Sequence, residues 1–106
     1  MNTGLLRAIT PNEVEIYQRD GVLLLPGMFD KDWIELLDKG LAANIEVPTR
    51  CSRIWYKDTS GSKMFYDHTA WQGIDEYRKF IFNSPAAQIC GQLMGSATIN
   101  FFFDSV

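Results

Sequence analysis

Histidine is almost missing from this chain: His68 stands alone among 106 residues. A metal site that needs two histidines cannot be assembled from it. Cysteine is scarce too. Cys51 and Cys90 have a separation that fits no zinc or redox spacing, and two cysteines make no disulfide framework. Cys90, among Ile89, Leu93 and Met94, reads as a small buried hydrophobe. Cys51, beside Arg50 and Arg53, reads as an ordinary exposed thiol. A surplus of positive charge is absent, since ten Lys and Arg face thirteen Asp and Glu for a net −3. No basic stripe breaks that balance, so a nucleic-acid partner has no electrostatic support. No apolar run approaches the roughly 20 residues of a membrane span. Met1 to Arg7 lacks the charged-then-apolar order of a signal peptide. No membrane association is expected, and a cytoplasmic location is the default. Phosphate-loop, dinucleotide and nucleophile-elbow glycine patterns are also missing, and a serine triad would have only His68 as base.

What is present centres on Gly21-Val-Leu-Leu-Leu-Pro-Gly-Met-Phe29. Val22 to Leu25 is an apolar run too short for a buried helix and suited to a buried strand. Gly21 ends what precedes it, and Pro26-Gly27 supplies a turn. Before it, Thr10, Pro11 and Glu13 spell a capping box with proline at the first helical position, and Ile9 with Val14 makes a hydrophobic staple. After it, Asp30 caps a second helix whose apolar stripe reads Trp33, Ile34, Leu37 and Leu41, ending near Ala43 or Asn44.

Ile45 to Ser52 reads as an irregular connection containing Pro48. Arg53–Lys57 and Lys63–Asp67 flank the Gly-containing stretch Asp58–Ser62, which predicts a hairpin. Ile74, Tyr77 and Ile81 predict a helix over Ile74–Asn83. Ser84-Pro85 starts another, with Ile89, Cys90, Leu93 and Met94 as its buried side and Gly95 as its stop. From Thr98 the period becomes two: Ile99, Phe101, Phe103 and Ser105 share one face, and Asn100, Phe102, Asp104 and Val106 the other. The apolar odd face is expected to point inward.

Thr10-Pro-Asn-Glu-Val-Glu-Ile-Tyr-Gln-Arg-Asp-Gly-Val-Leu-Leu-Leu-Pro-Gly-Met-Phe-Asp30 resembles the opening of the phytanoyl-CoA dioxygenase family. Phe65-Tyr-Asp-His-Thr-Ala-Trp71 and the end, from Ser84-Pro-Ala-Ala through Leu93-Met-Gly95 to Asn100-Phe-Phe-Phe-Asp-Ser-Val106, are similar to bacterial members. The resemblance spans about Ile9 to Val106 and lies in the order and spacing of these pieces. It implies an α+β fold, in which an N-terminal helical layer meets the first strands of a double-stranded β-helix (jelly-roll, cupin-like). Most of that β core would lie beyond Val106, making residues 1–106 a single partial domain. It further implies an iron(II)- and 2-oxoglutarate-dependent dioxygenase that hydroxylates a small organic substrate.

Such enzymes hold iron with an H-x-D or H-x-E pair and a distant second histidine. Here His68 is followed by Thr69 and Ala70, and the adjacent Asp67 points elsewhere. Neither iron nor 2-oxoglutarate is therefore expected on this chain alone, and no catalytic residue is assigned. Phe103 and Ser105, nearest the end of the last strand, are expected to border the substrate mouth of the full-length enzyme. His68 itself reads as a surface or loop-packing residue. The alternatives are a non-catalytic helical binding module or a non-functional truncated product. An apolar, unpaired last strand also predicts that the 106-residue chain self-associates.

Overall fold

Thr10, Pro11 and Glu13 begin α1 (Pro11–Asp20) as a complete capping box: the Thr10 hydroxyl accepts the Glu13 N–H, and the Glu13 carboxylate accepts the Thr10 N–H. Arg7 grips the same carboxylate with two nitrogens, at 2.8 and 3.0 Å. That pairing, then the Thr10 N–H, pulls the Glu13 carboxyl down to about 2. Gly21 closes the helix at φ 73°, a left-handed conformation that glycine adopts without the penalty of a Cβ, and its N–H reaches Tyr17 C=O at 2.8 Å. The computed structural model describes residues 1–56 and 63–106.

Val22 to Leu25 is not a strand. No strand pairs with it among the described residues, and it lies over the core without regular secondary structure instead. Leu23 and Leu25 pack against Met28, Ile89 and Leu93, whereas Val22 and Leu24 lie on the surface. The period of two is real, but a sheet also needs a partner, and hydrophobicity alone cannot supply one. Asp30 caps α2 (Lys31–Glu46) by accepting the Trp33 N–H. The helix runs on to Glu46, past the expected stop at Ala43 or Asn44. Its buried side also differs from the apolar count. Trp33, Gly40 and Asn44 are buried and Leu37 half-buried, while Ile34 and Leu41 are exposed. The spacing 33, 37, 40, 44 is one helical face carrying a glycine and an amide.

The glycine on that face permits a close crossing. α2 lies against α3 (Asp75–Asn83), and a Cβ on Gly40 would stand 2.9 Å from Glu76 Cβ and from Tyr77 Cε1. Gly40→Ala gains about 1 kcal/mol of helix propensity, but overpacking costs about 1–3 kcal/mol. Because Tyr77 is buried and cannot swing out, the expected net result is a loss of about 1 kcal/mol. A urea titration that showed the alanine variant more stable would contradict this close packing.

α4 (Ala86–Met94) follows Ser84-Pro85, with the Ser84 hydroxyl accepting the Ala86 N–H at 3.3 Å. It buries Ile89 and Leu93 against α1 and the 22–25 run, and Gln18 ties the two helices by donating to Leu93 C=O at 2.6 Å. Cys90 and Met94 face outward, which corrects the expectation that both belong to the buried side. The reason is that α4 covers the core along one narrow ridge, the 89/93 pair, while its neighbouring ridge, with Cys90, borders an open groove.

β1 (Arg53–Tyr56) and β2 (Lys63–Tyr66) form the expected antiparallel hairpin, with Arg53 opposite Tyr66 and Trp55 opposite Met64. The expected loop Asp58–Ser62 lies outside the described residues. Thr69, at φ 60°, turns the chain into a short 3-10 turn over Ala70–Gln72. Among the described residues the last segment is paired only at its end. Asp67 and Val106 exchange both backbone hydrogen bonds, Thr69 N–H donates to Asp104 C=O, and His68 bridges Ser105. The expected strand from Thr98 therefore forms only around residues 104–106. The fold is thus α+β, with four helices and one two-stranded sheet among the described residues. Its Cα radius of gyration is 16.0 Å, against about 13 Å for a compact domain of 100 residues. Among the described residues no helix is long and apolar enough to cross a membrane.

Candidate functional site

Where α2 ends, the connection to the hairpin begins and the last segment returns, the chain buries a carboxylate. Asp67 is 0% exposed, and such a group persists only when its lone pairs are taken up. One carboxylate oxygen accepts the Thr49 hydroxyl and the His68 N–H; the other accepts Asn44 Nδ2 at 2.9 Å and the Thr49 N–H at 2.8 Å. Asn44, also 0% exposed, accepts from the Tyr77 hydroxyl at 3.4 Å. Burial pushes the Asp67 carboxyl up. The hydrogen bonds from Thr49, Asn44 and His68 together outweigh burial and hold it below the usual carboxylate value. Burial, and then the charges of Asp104, Asp67 and Glu76, push the Tyr77 hydroxyl up.

Chemically this cluster is a clamp. A carboxylate with four donors on its four lone-pair directions has none to offer a proton, a metal or a substrate. Its role is to fix the end of α2, the Thr49 turn and the exit from β2 in one place. Neither Asn44 nor Asp67 is among the site residues expected from the sequence. Asn44 was legible in principle as the next position on the 33/37/40 face of α2, but Asp67 carried no local signal.

His68 is half-buried, with Nδ1 and the Thr69 hydroxyl sharing a hydrogen bond of 3.0 Å and the ring 6.0 Å from Tyr66. That matches a loop-packing residue. Phe103 and Ser105 lie two residues apart on the last segment. Phe103 is 50% exposed and stacks edge-on against Phe102, itself 89% exposed; the exposed Ser105 is the backbone partner of His68. Asp104 accepts the Trp71 N–H through one oxygen, and its other, buried oxygen has no partner among the described residues. Trp71 in turn meets Phe101 and Phe82 edge-on at 5.7 and 5.8 Å. Beside them an open, mainly apolar groove of about 430 Å³ runs between Phe80, Ala86, Cys90, Ile99 and Phe101.

Among the described residues no three His, Cys, Asp or Glu side chains gather into a group able to hold a metal ion. The residues present therefore do not fit a two-histidine, one-carboxylate iron site, and no chemical step through iron is assigned to them. No family model, curated protein or solved structure matches this chain.

Proposed function

We propose that this chain is the N-terminal part of an iron(II)- and 2-oxoglutarate-dependent dioxygenase that hydroxylates a small organic substrate. The observation that carries this reading is the ordered series of phytanoyl-CoA dioxygenase-like segments from Ile9 to Val106. The exposed aromatic run Phe101–Phe103, without backbone partners among the described residues, supports it as the first wall of a larger β structure. On this reading the double-stranded β-helix and the iron ligands are supplied by strands outside residues 1–106. Phe103 and Ser105 then border the substrate mouth, and the four helices brace the outside of the barrel. When bound, iron would activate molecular oxygen, the oxidant, with 2-oxoglutarate as the co-substrate that is oxidised and decarboxylated; these residues contribute shape and the exclusion of water. A non-catalytic binding module is the competing reading, favoured by the exposed side chains of Trp55, Met64 and Phe102.

Reading the coding DNA past Val106 tests the proposal. A basic residue, a Pro-Gly turn and then H-x-D within a few tens of codons is the expected result, and a stop codon there overturns it. The 106-residue chain titrated with iron(II) in a calorimeter should show no micromolar binding. Such binding, lost in His68→Ala, would place the metal site inside this chain instead.

A further inference from the structure

We infer that residues 99–103 are a pairing edge for a second copy of this chain, the two copies joining as antiparallel strands about a two-fold axis through Phe101. Among the described residues the backbone of 99–103 makes no hydrogen bond to other backbone, although the segment is neither helix nor paired strand. Five consecutive N–H and C=O pairs without a partner among the described residues are a template for an incoming strand.

The pairing at residues 104–106 shows which way the template faces. Asp104 and Val106 turn their backbone groups toward Thr69 and Asp67. Backbone polar groups alternate from edge to edge along a strand. Continued in the same pleat, Ile99, Phe101 and Phe103 present their N–H and C=O groups to the opposite, open edge. Asn100 and Phe102 turn theirs the other way.

A second copy fits this edge by its chemistry. Ser84 to Phe103 contains no charged side chain, so two such segments meet without like-charge repulsion. The centre at Phe101 places Ile99 opposite Phe103 and Phe101 opposite its own copy, apolar and aromatic pairs of the kind that stabilise antiparallel ladders. It also sets Asp104 opposite Thr98 and keeps the two Asp104 carboxylates apart. Phe101 is 42% and Phe102 89% exposed, so apolar surface is there to be covered. The pairing concerns the 106-residue chain and does not rest on the oxygenase reading.

Sedimentation equilibrium across a concentration series is the first test, and the expected species has twice the 12.1 kDa chain mass. Phe101→Pro removes a donor from the open edge and should leave only monomer. Phe102→Pro removes one from the other edge and should leave the dimer, with circular dichroism confirming retained helix in both variants. A wild-type chain that stays monomeric throughout, a dimer that survives Phe101→Pro, or loss of the dimer in both variants overturns the inference. The register has a separate readout in a Cys51→Ser, Cys90→Ser background. Phe101→Cys should oxidise to a covalent dimer, because facing residues lie about 5.5 Å apart between Cα atoms. Ile99→Cys should not, since its two copies would be about 14 Å apart, beyond the roughly 7 Å reach of a disulfide. Crosslinking by Ile99→Cys and not by Phe101→Cys overturns the two-fold axis.

Discussion

Asp67→Asn should lower the stability of this protein by about 3 kcal/mol, a large part of the 5–15 kcal/mol of an ordinary domain. The amide keeps one acceptor oxygen and puts an NH2 where the other stood. If the NH2 takes the side facing Asn44 and Thr49, two donors meet it. The Asn44 side chain can flip, but the Thr49 N–H cannot. If it takes the other side, the Thr49 hydroxyl can rotate, but the His68 N–H remains fixed. Either way a buried backbone donor is left unpaired, which costs about 1–3 kcal/mol, and the charge-assisted part of the other bonds is lost as well. A denaturant titration measures the difference. A loss below about 0.5 kcal/mol, the range of an ordinary surface change, would mean that water reaches the cluster.

Acidity provides an independent check on the same carboxylate. Its folded-state value lies below its unfolded one, so the stability it contributes is complete above the unfolded value of about 3.9. That contribution fades as the pH falls through the folded value. The stability gap between the wild type and Asp67→Asn should therefore be widest near neutrality and narrow below pH 4. Glu13, Asp20 and Asp30 are also held low, so the wild type will lose stability in acid for several reasons. Only the narrowing of the gap reports Asp67.

Local chemistry explains which parts of the fold could be foreseen. Thr10 and Asp30 start helices because each satisfies backbone donors a few residues away, and that information is written within a single turn. The hairpin was legible for a similar reason, since two aromatic runs and a glycine-containing turn lie side by side. The failures are all non-local. Val22–Leu25 has the composition of a strand, but pairing depends on what the rest of the chain brings alongside. The face of α2 was misjudged by counting apolar residues, when the crossing with α3 favours Gly40 for its lack of a side chain and Asn44 for its reach to Asp67. Cys90 looked buried because its sequence neighbours are apolar, yet only the 89/93 ridge of its helix meets the core. The iron chemistry is a matter of resemblance throughout, while the clamp at Asp67 emerges only when residues 44, 49, 67 and 77 are brought together in space.

Trp33→Ala should have the largest effect of any single truncation, about 4 kcal/mol, within the 3–5 kcal/mol typical of emptying a buried large aromatic site. Trp33 is 1% exposed, meets Phe80 edge-on at 5.5 Å and, through Phe80, the ring of Phe29. Its indole N–H also donates to Asn2 C=O at 2.7 Å. Asn2 in turn accepts the Asp30 N–H and donates to Met28 C=O, and the Met1 ammonium pairs with Asp32 and Asp30. One side chain therefore joins the aromatic packing of α2 on α3 to the strap laid over the start of α2. Few fully buried large side chains exist among the described residues, so neighbours have little material with which to fill the cavity. Trp33→Phe separates the two contributions. It keeps most of the packing and loses the N–H, so its cost should be well below that of alanine while exchange of the amide at Asp30 quickens. If alanine and phenylalanine cost the same, the hydrogen bond to Asn2 outweighs the packing; if alanine costs under 1 kcal/mol, this cluster is not the core of the domain.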